Sequence, residues 1–339
     1  MTETASIESL PAGLVYVSDD MPGIVRRRRG RGFAYLDAAG RPVGAGERAR
    51  CAALGIPPAW EQVWICAEPA GHLQSTGYDA AGRKQYRYHP AWSAWRSEAK
   101  YACLAAFGRG LARFRAGVER DLAGEPGAQE VSLAAIAVLL DRLHLRAGSA
   151  AYAARNRTFG ATTLQTRHLR LEGGLLRLRY RAKGGRLTEH SLRDARLHRI
   201  FEAIHDLPGR DLFVWIDADG DVRRIGSQHL NRYLAERTGV EGATAKTFRT
   251  WAGTMAAFGV ACRAKGPLSL RTMAEAAAER LHNTPAIARA AYIHPAVLGL
   301  AALDPVARRE RLLRLQPAGP LRLRAGERRL IGLLEAGDG

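Results

Sequence analysis

The hydrophobic pattern of this 339-residue chain changes once, at about residue 95. Before that point, short apolar runs lie between turn signals, and Lys84–Tyr88 alternates polar and aromatic residues, as β-strands do. After it, apolar residues recur mainly with helical spacing. Strands collected at one end of a chain and helices at the other favour an α+β fold.

One β-segment interrupts the helical part. Three runs between residues 168 and 192 alternate in period two, and Gly173-Gly174 and Gly184-Gly185 separate them. Paired glycines between alternating runs predict a three-stranded antiparallel meander. We therefore predict three parts: a β-rich N-terminal domain (1–95), a mainly α domain that contains the small sheet (96–305), and a basic C-terminal tail (306–339).

Cap and breaker signals predict several helices. Ser97–Arg115 has an amphipathic pattern, and Ser132 is a candidate N-cap for the apolar helix that follows it. Thr284-Pro285 supplies an N-cap and a proline at the first helical position, and Pro295 stops that helix.

The charge of the chain favours a polyanionic partner. Lys and Arg number 51 against 33 Asp and Glu, a net charge of +18. Nucleic acid is the commonest partner of such a surface. Residues 142–171 hold six arginines and no acidic residue. Because a solvated surface usually mixes both signs, this stretch indicates contact with phosphates.

Several classes of protein are excluded. No apolar run approaches the roughly 18 residues that span a membrane, and the acidic start at Met1–Leu10 is unlike a secretory signal. The spacing of Cys51, Cys66, Cys103 and Cys262 fits neither a metal site nor a compact disulfide framework. We expect a cytoplasmic protein that needs no metal and no other cofactor.

No Walker loop and no acidic cluster suited to divalent metals is evident. An enzyme acting on DNA would then need a nucleophile, cationic stabilisers and a proton donor from its own side chains. Short motifs that suit these roles follow in order: Gly82-Arg-Lys-Gln-Tyr-Arg-Tyr88, Leu145-Arg-Ala-Gly148, Tyr180-Arg-Ala-Lys-Gly184, Lys246-Thr-Phe-Arg-Thr250, His282-Asn-Thr-Pro285 and Arg289-Ala-Ala-Tyr292. In these motifs the chain resembles the compact type IB DNA topoisomerases of poxviruses and some bacteria, from about residue 10 to about residue 305.

The resemblance implies a role for each catalytic residue. Tyr292 is the nucleophile that attacks the scissile phosphodiester and holds a 3′-phosphotyrosine. Arg146, Arg249 and Asn283 contact the nonbridging oxygens, and Lys183 protonates the departing 5′ oxygen. A lysine suits the last role because its pKa near 10.4 permits proton release, whereas the pKa of arginine lies above about 12.

The resemblance also implies a set of DNA-contacting residues. These are Lys84, Gln85, Tyr86, Tyr88 and Tyr152. Tyr86 and Tyr88 lie two residues apart on one strand face, where hydrophobic packing is the alternative to DNA contact.

The chain departs from the poxviral pattern at two positions. Ser149 replaces a lysine, so the poxviral cleavage-site preference is not implied. Asn283 stands where the poxviral enzymes have a histidine, and it donates a hydrogen bond but no charge. His282 is the alternative contact residue; the family interval of nine residues before Tyr292 favours Asn283, leaving His282 as a helix-terminal cation.

The resemblance implies a monomeric, nucleoid-associated enzyme that clamps duplex DNA and relaxes supercoils of both signs without ATP. A tyrosine site-specific recombinase is the alternative enzyme, because it uses nearly the same Arg, Lys, Arg and Tyr set. Recombinases usually have histidine where this chain has Lys246, and a helical N-terminal domain. A non-catalytic basic DNA-binding protein fits the composition but leaves the ordered motifs unexplained.

Overall fold

The structure is a computed structural model that describes residues 10–336, with the backbone alone at Ala99. The acidic segment before Leu10 and the end of the predicted tail, 337–339, lie outside the described residues. The chain divides into two compact units, of which the first ends at Tyr101 and the second begins at Ala102.

The first unit is built on a five-stranded antiparallel sheet with the spatial order β2-β1-β3-β4-β5. Ile24, Val63 and Ile65 of the sheet form a core with Cys51 of the helix α1. The elements are β1 (Ile24–Arg29), β2 (Gly32–Leu36), α1 (Ala45–Ala53), β3 (Glu61–Ile65), β4 (Leu73–Tyr78), β5 (Lys84–Tyr88) and α2 (Pro90–Ala102).

The second unit is mainly helical and holds the three-stranded sheet β6-β7-β8 and a short hairpin. Its helices are α3 (Leu104–Asp121), α4 (Gln129–Leu143), α5 (Ala150–Asn156), α6 (Ala195–His205), α7 (Ser227–Thr238), α8 (Ala245–Arg263), α9 (Leu270–Leu281), α10 (Pro285–Tyr292), α11 (Pro295–Gly299), α12 (Pro305–Arg314) and α13 (Glu327–Glu335). Its strands are β6 (Leu169–Glu172), β7 (Leu175–Arg181), β8 (Leu187–Arg193), β9 (Val214–Ile216) and β10 (Val222–Arg224). The predicted α+β class, with its small antiparallel sheet, is confirmed.

Two local predictions were wrong. The expected helix Ser97–Arg115 is broken at Cys103, because it spans the end of α2 and the start of α3, and these two helices pack in different places. Trp92 of α2 packs edge-on against His72 of the first unit, with ring centroids 4.8 Å apart, whereas Phe107 of α3 packs against Phe248. Ser132 does not cap a helix, because α4 already begins at Gln129.

Ser132 instead serves the core. It is fully buried in α4, and its hydroxyl donates a hydrogen bond of 2.5 Å to the carbonyl of Val214. Nearly every side of α4 is buried, from Val131 to Asp141, so the helix is the centre of the second unit. The sequence does not distinguish the two roles, because serine occurs both as a helix N-cap and as a buried residue whose hydroxyl is hydrogen-bonded.

The predicted C-terminal tail forms part of the second unit as far as the structure describes it. It contains α12 and α13, and α13 packs against α3 and α8. Leu330, Ile331 and Leu333 of α13 are fully buried. Among residues 10–336, no helix is long and apolar enough to cross a bilayer.

Close contact between α3 and α7 depends on Gly110. A Cβ atom at this position would lie 2.3 Å from the backbone oxygen of Thr238, which cannot swing aside. We expect Gly110→Ala to lower the free energy of unfolding of this unit by about 1–3 kcal/mol, despite the helix propensity of alanine. Denaturant titration measures it.

Gly259→Ala in α8 is the matched control. Its Cβ would meet only the end of the Arg263 side chain, at 3.2 Å. Because that side chain is flexible, the variant should be as stable as the wild type or up to about 1 kcal/mol more stable. Equal stability of Gly110→Ala and Gly259→Ala would contradict the proposed packing constraint.

Candidate active site

Arg249 lies at the centre of the site, on α8. Its side chain is 4% exposed, and its guanidinium donates hydrogen bonds to the carbonyl oxygens of His144 and Leu281. Within residues 10–336 its Nε has no hydrogen-bond partner. Both partners are neutral carbonyls, so Arg249 keeps a full positive charge in a buried place. Such a charge favours an anionic ligand.

Arg146 follows the end of α4. His144 adopts a left-handed conformation with φ 55°, which ends the helix and turns the chain. The carbonyl oxygen of Arg146 accepts a hydrogen bond of 2.8 Å from Ala161, which fixes the loop. Burial of the guanidinium, and then the charge of Arg249, lowers the pKa of Arg146. The two arginines therefore lie close enough to repel each other, and an anion between them would relieve the repulsion.

Asn283 is held by Arg146. A guanidinium nitrogen of Arg146 donates to Oδ1 of Asn283, and the backbone N–H of Asn283 donates to Ala278 at 3.0 Å. This bond assigns the amide orientation, so the NH₂ group faces the other way. Nδ2 of Asn283 is buried and has no partner in the described residues. A buried donor without an acceptor indicates a place for a ligand oxygen.

Tyr292 ends α10 and lies against α8. The guanidinium carbon of Arg249 is 5.1 Å from the centroid of the Tyr292 ring. The backbone oxygen of Tyr292 accepts from the hydroxyl of Thr254 at 3.3 Å. Gly253 makes this approach possible, because a Cβ there would lie 2.6 Å from the same backbone oxygen. One helix, α8, therefore supplies a predicted catalytic arginine and the packing contact of Tyr292.

Gly253 and Thr254 are site residues that the sequence analysis missed. Gly253 is four residues after Arg249 and so lies on the same face of α8. That spacing after the Lys246-Thr-Phe-Arg-Thr250 motif is the signal that was available in the sequence. Glycine within a long helix lowers helix stability by about 1 kcal/mol relative to alanine, so it calls for a packing reason.

Lys183 is not bonded to any of the other four residues in the described part of the chain. It is exposed in the loop between β7 and β8, where Gly184 and Gly185 both have positive φ. The loop is closed by a hydrogen bond of 2.8 Å from Ala182 to the carbonyl of Arg186. In the described part of the chain, the Lys183 side chain makes no hydrogen bond or ion pair. The structure thus brings together four of the five predicted catalytic residues.

The sheet that carries Lys183 nevertheless reaches the site. Tyr180 of β7 is buried, and burial raises its pKa to about 12, although the charges of Arg146 and Arg249 act to lower it. The charge of Arg186, at the base of the loop, contributes to the lowered pKa of Arg146. The loop therefore begins beside the arginine pair.

His282 is not the contact of Arg146. It packs edge-on against His190, with ring centroids 4.7 Å apart. Partial burial, and then the charge of Arg186, lowers the pKa of His282, and burial lowers that of His190 to about 4. Both rings are therefore neutral at pH 7, so His282 is not the helix-terminal cation that the sequence suggested.

The predicted DNA-contacting residues differ in their exposure and in their bonding partners. Tyr86 and Tyr88 are 48% and 45% exposed, and their rings are nearly parallel with centroids 6.2 Å apart. Tyr152 is also exposed, on α5. Lys84 instead forms an ion pair with Asp19, and Gln85 donates to Asp79 at 2.9 Å. Lys84 and Gln85 would have to exchange these partners to contact DNA.

Two family models match the chain. The bacterial DNA topoisomerase IB N-terminal domain matches residues 32–79, and the eukaryotic DNA topoisomerase I catalytic core matches residues 90–279. The second match covers more than half of the chain, so the chain belongs to the DNA topoisomerase I family. This match ends before Asn283 and Tyr292, whose positions in the site come from the structure.

A curated relative agrees with the family. The chain is 27% identical over 240 residues to the DNA topoisomerase 1B of Acanthamoeba polyphaga mimivirus, which covers 69% of this chain and 71% of the relative. The N-terminal match and this similarity both indicate type IB. The protein is therefore a type IB DNA topoisomerase. The comparisons support neither the recombinase nor the non-catalytic alternative.

The close contact between Gly253 and Tyr292 can be tested by substitution. We expect Gly253→Ala to slow plasmid relaxation about 100-fold, because the new methyl group displaces Tyr292 from Arg249 by a large fraction of an ångström. DNA affinity should stay near the wild-type value. Relaxation is followed on agarose gels, and Gly259→Ala on the same helix is the control. Wild-type relaxation by Gly253→Ala would show that the close contact does not position Tyr292.

Proposed function

We propose that this enzyme relaxes positive and negative supercoils by cutting and rejoining one DNA strand, without ATP or a metal ion. One observation carries the proposal: Arg146, Arg249, Asn283 and Tyr292 converge, and within residues 10–336 two of them have a buried donor without a partner. Torsion is released while the cut end turns about the intact strand. The energy of the cut bond is kept in the protein–DNA bond, so no external energy source is needed.

The proposed cleavage is a transesterification. Tyr292 gives its proton to water, and its oxygen bonds to the scissile phosphorus while the bond from phosphorus to the 5′ oxygen breaks. The 5′ oxygen takes a proton from Lys183, so the products are a 3′-phosphotyrosine and a free 5′ hydroxyl. In rejoining, that hydroxyl returns its proton to Lys183 and attacks the same phosphorus, and Tyr292 leaves and regains a proton from water. The buried charge of Arg249, 5.1 Å from the ring centroid, supports a tyrosine that must become anionic.

The donors of the site suit the transition state of this reaction. Charge builds up on the nonbridging oxygens as the phosphorus becomes five-coordinate. Nε of Arg249 and Nδ2 of Asn283 are buried and unpaired in the described residues, so they are free to bind such oxygens. Arg146 adds a second guanidinium, oriented by Asn283. We propose a smaller contribution from Asn283, because a neutral donor forms weaker bonds than a charged one.

We propose that Lys183 donates the proton to the departing 5′ oxygen. Support comes from its residue type and its place, since only five of the 51 basic residues of the chain are lysines. The two glycines after it allow the loop to change conformation when DNA binds. Its ammonium group carries three donors and a proton that can be released.

Duplex DNA is the proposed partner, bound by both units as a clamp. The acid-free stretch 142–171 and the exposed Tyr86, Tyr88 and Tyr152 support it. We also propose that a monomer is sufficient, because one chain supplies every residue of the site. We propose that the enzyme acts in the cytoplasm, on the DNA of the nucleoid.

The first experiment removes the nucleophile. Tyr292→Phe should bind DNA normally yet neither relax a plasmid nor form a covalent adduct, because the phenyl ring keeps the packing and lacks the attacking oxygen. Relaxation and adduct formation are measured on gels in EDTA without ATP, with wild-type protein as the control. Near wild-type relaxation by the variant, or a strict requirement of the wild type for magnesium or ATP, would overturn the proposal.

The second experiment concerns Lys183. An alkoxide leaves poorly without a proton, whereas a thiolate, with a thiol pKa near 8.5, leaves readily. Lys183→Ala should therefore cleave ordinary DNA slowly and recover most of its rate on DNA with sulfur at the bridging 5′ position. Single-turnover cleavage of the paired substrates measures this recovery.

Arg249→Ala is the matched control for the sulfur experiment. It should recover much less, because its contact with the nonbridging oxygens is still missing. Lys183 is not the acid if sulfur restores both variants equally or leaves Lys183→Ala slow.

A further inference from the structure

The chain beyond Tyr292 carries a buried ion cluster that the proposed reaction does not use. Glu327, at the start of α13, is 4% exposed. Both of its carboxylate oxygens accept hydrogen bonds of 2.8 Å from Arg115 of α3. It also accepts from the backbone of Arg324 at 2.7 Å and from the indole of Trp251 at 3.4 Å.

Asp141 completes the cluster from α4. It accepts two bonds of 3.0 Å from Arg115 and one of 2.6 Å from the guanidinium of Arg324. Two carboxylates thus face two guanidiniums, with no net charge. Burial, the largest single effect, would raise the pKa of each carboxyl, but the hydrogen bonds and charge of Arg115, with smaller contributions from Arg324, together hold both below their usual values. Both carboxyls are therefore ionised at neutral pH.

The cluster touches the two helices that position the catalytic arginines. Asp141 lies in the last turn of α4, three residues before His144, whose carbonyl accepts from Arg249. Trp251, which donates to Glu327, is two residues after Arg249 on α8. A displacement of either helix would change the geometry around Arg249.

The cluster borders solvent on one side. Asp141, His144, Trp251, Arg324 and Glu327 all line one open cleft of about 750 Å³. The directional bonds of the ion cluster therefore join α4, α8 and α13 at the edge of this cleft.

Resting on the proposed function, we infer that Glu327 and Arg324 are positioning residues for catalysis, which hold the ends of α4 and α8 so that Arg146 and Arg249 meet the scissile phosphate. The segment predicted as a basic tail thereby acts on the reaction from outside the site. This role differs from a purely structural one, because it concerns the placement of particular donors.

The test compares Glu327→Gln with Leu333→Ala. Glutamine keeps the shape of Glu327 and removes its charge, whereas Leu333 is an uncharged, fully buried residue of the same helix. Single-turnover cleavage is measured at a temperature where thermal melts show each protein folded, on oxygen-bridged and 5′-sulfur-bridged DNA. Glu327→Gln should cleave about 10- to 100-fold more slowly than wild type, and Leu333→Ala near the wild-type rate.

The sulfur substrate separates positioning from other causes. Glu327→Gln should not be rescued by sulfur, as expected for Arg249→Ala, because misplaced oxyanion donors are its defect. A wild-type rate for Glu327→Gln, a loss shared equally by Leu333→Ala, or full rescue by sulfur would each overturn the inference. If the wild type itself forms no adduct, it is the proposed function that fails.

Arg324→Ala keeps the inference testable should Glu327→Gln not fold. Arg324 has a side chain 48% exposed and contributes one bond to Asp141, so its loss leaves the Arg115 contacts intact. It should cleave about tenfold more slowly than wild type, again without sulfur rescue. Wild-type cleavage by folded Arg324→Ala would rule out its positioning role.

Discussion

The arrangement of the site depends on the two hydrogen bonds that the buried Arg249 donates to backbone carbonyls. Leu281 is the last residue of α9, and His144 is the residue at which α4 ends. The final carbonyls of a helix lack partners within it and carry partial negative charge. Arg249 satisfies one such carbonyl on each helix and so fastens the two helix ends to α8.

Both helices end in the same way, and this places the other two donors. His144 and His282 each take a left-handed conformation, with φ 55° and 50°, which turns the chain sharply toward Arg249. Arg146 and Asn283 follow within two residues of these turns and meet in a hydrogen bond. Because carbonyls rather than carboxylates accept from Arg249, no acidic side chain offsets its charge there. Burial, and then the charge of Arg186, lowers the pKa of the nearby His282. Such a pocket favours an anion such as a phosphate.

The sequence pattern correctly predicted the elements that are determined by residues close together in the chain. The strands β7 and β8 follow from period-two alternation and glycine pairs, and the helix that carries Tyr292 follows from Thr284, whose hydroxyl accepts from Ile287 as the cap signal required. Contacts between distant residues were not predictable. No sequence feature near Lys84 predicts its ion pair with Asp19. The segment predicted as a tail is another example. It contains α12 and α13, and α13 packs against α3 and α8. The Arg- and Leu-rich sequence of the segment does not indicate these contacts.

The separation of Lys183 from the other four residues has an electrostatic reason under the proposed mechanism. Burial, and then the charge of Arg249, already lowers the pKa of Arg146. A third cation held there without DNA would add repulsion in a buried place. On an exposed hairpin loop, the charge of Lys183 lies in water and adds no such repulsion. The phosphate that neutralises the arginines then removes the repulsion, so the acid can approach only when there is a bond to cleave.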